Sequence, residues 1–77
     1  MNDIESVDWS VCDAVERVPG KMGGRAVIKG TRIEPETIVN SFELGSSIEE
    51  IHGDFPTVPI DTIRDLLVFA HAQQTVL

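Results

Sequence analysis

Cysteine is almost missing from this 77-residue chain, with Cys12 standing alone. No internal disulfide can form, so the framework that staples small secreted domains is excluded. A reducing, cytoplasmic setting is the expectation. No run of eighteen apolar residues occurs, which excludes a membrane-spanning helix. The opening residues MNDIESVDW are acidic, whereas a secretory signal opens with positive charge and then an apolar stretch. Metal-ligand spacing is missing as well. His52 and His71 are isolated from each other and from Cys12. Glu49 and Glu50 are adjacent and point to different sides of a helix, and no nucleophile is paired with a base by spacing. The chain therefore reads as non-catalytic, with no cofactor and no metal.

Bases are scarce, and their placement says more than their number. Six Lys and Arg stand against thirteen Asp and Glu, for a formal net charge of −7. Residues 1–16 hold five acids and no base, and residues 17–32 hold five bases and no acid. Residues 33–77 hold eight acids and one base, Arg64. A short basic segment thus lies between two acidic ones. Nucleic acid repels such a chain overall, but the local patch can still meet phosphates. The acidic faces suit a basic protein partner equally well.

At this length one domain is expected, in which folding buries only about 60% of the surface the unfolded chain exposes. Association with a partner or a second copy is a common way to gain more. Residues 1–14 are poorly patterned. Val7, Trp9 and Val11 alternate with polar residues, which permits a short strand, but a tail whose Trp9 docks on the body is the preferred reading. Residues 15–77 carry the domain proper. Within residues 15–33, a turn cluster from Pro19 to Gly24 separates Val15 and Val18 from the β-prone run Ala26-Val27-Ile28. That order predicts a β-ribbon whose reversal uses positive φ at Gly23 and Gly24. Thr31-Arg32-Ile33 reads as extended again.

Helices are expected over residues 34–77. Pro35 suits a first helical position, and Glu36 the first turn. Ile38, Val39 and Phe42 form its apolar stripe, and Gly45 is placed to end it. Ser47 and Glu50 have capping-box spacing ahead of a second helix that turns Ile48, Ile51 and Phe55 inward. Gly53 and Pro56 should stop it. Pro59 opens the third and longest helix, with Ile60, Ile63, Leu66, Leu67 and Ala70 on one face and His71 at its boundary. Phe69 falls off that face. Either residues 1–14 cover it or it forms the interface of a homodimer, and the scarcity of burial favours the dimer. The sum is a mainly α fold with a small N-terminal β-ribbon and a helix-turn-helix unit.

The candidate nucleic-acid contacts are Arg17, Lys21, Arg25, Lys29 and Arg32 along the ribbon, together with Arg64. A solvated surface that balances an acidic body is the plainer reading of the arm. In the last helix Asp61 and Asp65 flank Arg64, so a scaffold is a better reading than a DNA reader. Thr31 is expected to bond local backbone, and Arg32 to pair with a carboxylate of the acidic helices. Gly20-Lys21-Met22-Gly23 has the spacing of an RNA-clamping G-x-x-G loop, but it joins extended segments rather than helices.

The segment GGRAVIKGTRI, a helix, the Ser47-capped helix with Glu49-Glu50-Ile51, the Phe55-Pro56 step and a final helix together resemble a bacterial family. It is the one catalogued as domain of unknown function 433, whose members are described as antitoxins of toxin–antitoxin modules. The resemblance covers residues 15–72 and is most specific at Gly24 and at Gly30, Thr31, Arg32 and Ile33. This chain has Ala26 where the family has proline, and Asp65 where it has a small residue. The resemblance implies a homeodomain-like three-helix fold, a homodimer, and a cognate toxin, often a nuclease, held inactive by direct binding. The leading expectation is an antitoxin that dimerises, occludes its toxin and binds its own operator DNA weakly. A helix-turn-helix DNA-binding regulator without a toxin is the alternative, and neither reading involves a membrane.

Overall fold

In this computed structural model the described residues are 7–75. The remainder of the N-terminal tail, residues 1–6, lies outside them. Two short strands, β1 (Val15–Glu16) and β2 (Val27–Ile28), pair antiparallel with Val15 opposite Ile28 and Glu16 opposite Val27. Three helices follow: α1 (Pro35–Glu43), α2 (Ile48–Asp54) and α3 (Ile60–Thr75). The mainly α fold with a small N-terminal ribbon is the one the sequence predicts.

Short-range chemistry fixes the ends of these elements. The ribbon reverses through Met22–Gly24, where Met22, Gly23 and Gly24 take φ of 53°, 65° and 79°. That left-handed region is cheap for glycine and costs about 1 kcal/mol or more for Met22. Pro35 begins α1, where its missing N–H is not needed. Gly45, at φ 109°, turns the chain out of it. The box at α2 is complete: the Glu50 N–H donates to Ser47 Oγ at 3.1 Å, and the Ser47 N–H donates to Glu50 Oε1 at 2.8 Å. Gly53 does not stop α2. The helix runs through it to Asp54 and ends at Phe55, the residue before Pro56, where the α conformation is disfavoured.

The core gathers Ile38 and Val39 from α1, Ile51 from α2, and Ile63, Leu66 and Ala70 from α3. Ile28 from the ribbon and Val58 from the α2–α3 connection complete it. Val58 is fully buried although it lies in a loop. The His52 ring nitrogen Nδ1 meets its carbonyl oxygen at 2.7 Å, which folds the connection back onto α2.

The N-terminal segment is part of this core. Residues Trp9–Val11 form one 3-10 turn rather than a strand, capped by Asp8, whose carboxylate accepts the Ser10 N–H. Trp9 is only 3% exposed, and its ring stacks on Phe69 with centroids 5.4 Å apart. The expectation of an open Phe69 is corrected here. Trp9 covers it, so Phe69 is partly buried and packed against the core. The exposed large apolar side chains lie elsewhere, with Phe42 at 48%, Leu44 at 87% and Val68 at 63%. Phe42 thus leaves the inward stripe its spacing suggests, because α1 offers the core only Ile38 and Val39 beyond its first turn.

Candidate functional site

Two surfaces carry the chemistry. The first is the basic arm and the loop Gly30–Ile33 that closes it. This loop is tightly tied rather than extended. The Ile28 N–H donates to the Ile33 carbonyl at 2.8 Å, and the Thr31 N–H returns to the Ile28 carbonyl at 2.9 Å. The Thr31 hydroxyl donates to that same carbonyl at 2.8 Å and accepts the Ile33 N–H at 3.0 Å. Thr31 therefore plays the local role expected of it, and Gly30, at φ 77°, makes the bend possible.

The five arm cations have different surroundings. Lys21 Nζ lies 3.3 Å from Glu16 Oε2, and the same oxygen accepts the Gly30 N–H at 3.1 Å. The Gly30 N–H first, then Lys21, then the charge of Lys29 hold the Glu16 carboxyl below its ordinary value. Arg25 pairs with Glu34 at 2.7 Å, and Arg17 Nη1 reaches the Gly24 carbonyl at 3.5 Å. Lys29 and Arg32 are exposed and form no ion pair among the described residues. The expected pairing of Arg32 with the acidic helices is corrected: Arg25 takes Glu34 at the head of α1, and Arg32 points to solvent. The sequence places both arginines in one basic run, and only the fold of the loop decides which one faces the helix.

Arg64 is separated from the arm cations in kind. Its Nη1 lies 3.0 Å from Asp61 one turn earlier, so its charge is matched on its own helix, and Asp65 beside it is exposed. The start of α3 is thus neutral to acidic, a poor face for phosphates.

The second surface is a groove of about 190 Å³ between α1 and α3, lined by Val39, Phe42, Glu43, Leu67, Ala70 and His71. His71 is exposed there rather than at a core boundary. Helical spacing sets Val68 beside Arg64 and Asp65 on the outer side of α3. Exposed Phe42 lies in the groove beside acidic Glu43, while Leu44 at the end of α1 and Val68 on α3 are separately exposed. The residue pattern does not single out this groove, since it assigns Phe42 to the inward stripe of α1. Among the described residues no three His, Cys, Asp or Glu side chains gather as a metal site, and no helix is long and apolar enough to cross a membrane.

A hydrogen-bonded loop on a two-stranded ribbon, set against a helix-turn-helix unit, defines a small mainly helical domain that presents surfaces rather than an enclosed pocket. No curated protein and no solved structure is similar enough to match this chain. A family profile does match, over residues 15–70, and its description is "Protein of unknown function (DUF433)". The chain belongs to that family.

Proposed function

We propose that this chain is the antitoxin of a type II toxin–antitoxin module, a binding protein that holds a basic, nuclease-type toxin inactive by direct contact. The observation that carries this reading is the α1–α3 groove, where exposed Phe42 and half-buried Leu67 meet acidic Glu43, with Leu44 at the end of α1 and Val68 on α3 as further exposed apolar side chains, on a chain of net charge −7. Apolar centres with charged rims suit a protein partner, and the sign of the charge asks for a cationic one. A second copy of this chain would bring a like charge to the same groove. The homodimer reading through Phe69 has less support, since Trp9 occupies the ring face that would have needed covering. The antitoxin role itself leans on the family resemblance.

The test is co-expression with the product of the adjacent gene. That product should be toxic alone, should be tolerated with this chain, and should co-purify with it. Replacing both Phe42 and Val68 by Glu should abolish protection while far-UV circular dichroism stays unchanged. Anchors of this kind carry roughly 2–4 kcal/mol of binding each. A harmless neighbour, or one that does not co-purify, refutes the reading.

A DNA-binding regulator is the second reading. Lys29 and Arg32, exposed and without an ion pair among the described residues, favour the arm over α3 as its contact. A gel-shift titration whose log–log salt slope stays near zero removes it.

A further inference from the structure

The loop Gly30–Ile33 does more than close the ribbon. Its outer side, with Lys21 and the α2–α3 connection, borders an open concavity of about 590 Å³ lined by Lys21, Gly30, Thr31, Arg32, Ile33 and Thr57. None of these six residues is acidic. Arg32 is exposed and has no carboxylate partner among the described residues, although eight acids follow it in the chain. Thr57 is exposed, and its hydroxyl forms no hydrogen bond among the described residues. Lys21 is held at the rim by Glu16, and Lys29 stands next to the loop.

Three cations and one carboxylate leave this corner positive on a molecule that is otherwise strongly acidic. The concavity is open to solvent, so it can take a group at the surface of a larger molecule as well as a small one. Four hydrogen bonds among Ile28, Thr31 and Ile33 fix the loop before any ligand arrives. Little ordering of backbone would then be needed on binding.

We propose that this concavity binds a phosphoryl group, with the Arg32 guanidinium and the Lys21 ammonium on its oxygens and the Thr57 hydroxyl donating to a third. A phosphate monoester carries about −1.5 to −2 charge at neutral pH and offers three acceptor oxygens, which matches two cations and a hydroxyl. The phosphoryl group can belong to a small phosphorylated molecule or to a nucleic-acid backbone. The proposal does not depend on toxin binding.

Amide NMR titration of the full chain tests it. The probes are inorganic phosphate, pyrophosphate and a short mixed-sequence DNA duplex, each against sodium chloride of matched ionic strength. Saturable shifts should concentrate on Gly30, Thr31, Arg32 and Ile33. Arg32→Gln should weaken the response roughly tenfold, equivalent to about 1.4 kcal/mol, while Arg64→Gln should leave it unchanged. Saturation by phosphate or pyrophosphate with no gain from DNA identifies a small-molecule ligand. Tighter, salt-dependent binding of DNA with the same shifted amides identifies a backbone phosphate. Absence of saturation with all three probes overturns the proposal, as does a response that survives Arg32→Gln at full strength. An unchanged amide spectrum outside the loop shows that the variant folds.

Discussion

Replacing Trp9 by Ala is the sharpest perturbation this fold offers. The ring is 3% exposed and stacks on Phe69 at 5.4 Å with 31° between planes. Removing a buried Trp ordinarily costs about 3–5 kcal/mol in lost transfer energy and cavity formation. One feature lowers that figure here. The indole Nε1 is buried without a hydrogen-bond partner among the described residues, and such a group carries a penalty of about 1–3 kcal/mol. The variant sheds the penalty with the ring, so a net loss of about 2 kcal/mol is expected. With a urea slope of about 1 kcal/mol per M for so small a domain, the midpoint should fall by about 2 M. Trp9→Phe separates the two contributions. It keeps an aromatic contact on Phe69 and removes the unpaired N–H, so it should stay within about 1 kcal/mol of the parent. Far-UV circular dichroism is the proper readout, because Trp9 is the only tryptophan and its fluorescence leaves with it. An unchanged midpoint for Trp9→Ala would refute the placement of the N-terminal segment in the core. A Trp9→Phe variant as weak as Trp9→Ala would refute the claim that the N–H is a burden.

Ser47→Ala should remove the bond that Ser47 Oγ accepts from the Glu50 N–H, leave the backbone N–H of residue 47 on Glu50, and cost about 1 kcal/mol, measured as a lower urea midpoint with unchanged slope. Glu16→Gln tests the arm's internal anchor through pH. The folded Glu16 carboxyl is held below its ordinary value of 4.5, so its stabilising effect is complete above that pH and is lost as pH falls through the lower folded value. The parent should therefore lose stability relative to Glu16→Gln in acid denaturation below 4.5, and two coincident acid profiles would show that the carboxylate contributes nothing.

Features governed by near neighbours were legible in the sequence. Pro35, Gly45 and the Ser47–Glu50 pair define helix ends because a cap needs only residues within one turn. Ile63, Leu66 and Ala70 declare the inner face of α3 by their spacing alone. The Thr31 bonds were legible for the same reason. What the sequence hid is set by residues distant in the chain. Nothing local says that Trp9 meets Phe69, that Arg25 rather than Arg32 takes Glu34, or that the concavity beside Arg32 includes Thr57. Val58 was hidden too, since a loop valine between two prolines has no periodicity to place it, and its burial depends on the His52 bond.

The seating of Trp9 on α3 has a topological consequence. The Asp8 N–H donates to Gln73 Oε1 at 3.4 Å, so the two extremities of the core meet side by side. An exposed bend at Gly23 lies on the ribbon between them in sequence. A chain whose residues 8 and 73 already adjoin can be linked near that contact and opened at such a bend at small cost, because joining neighbouring ends removes little native freedom.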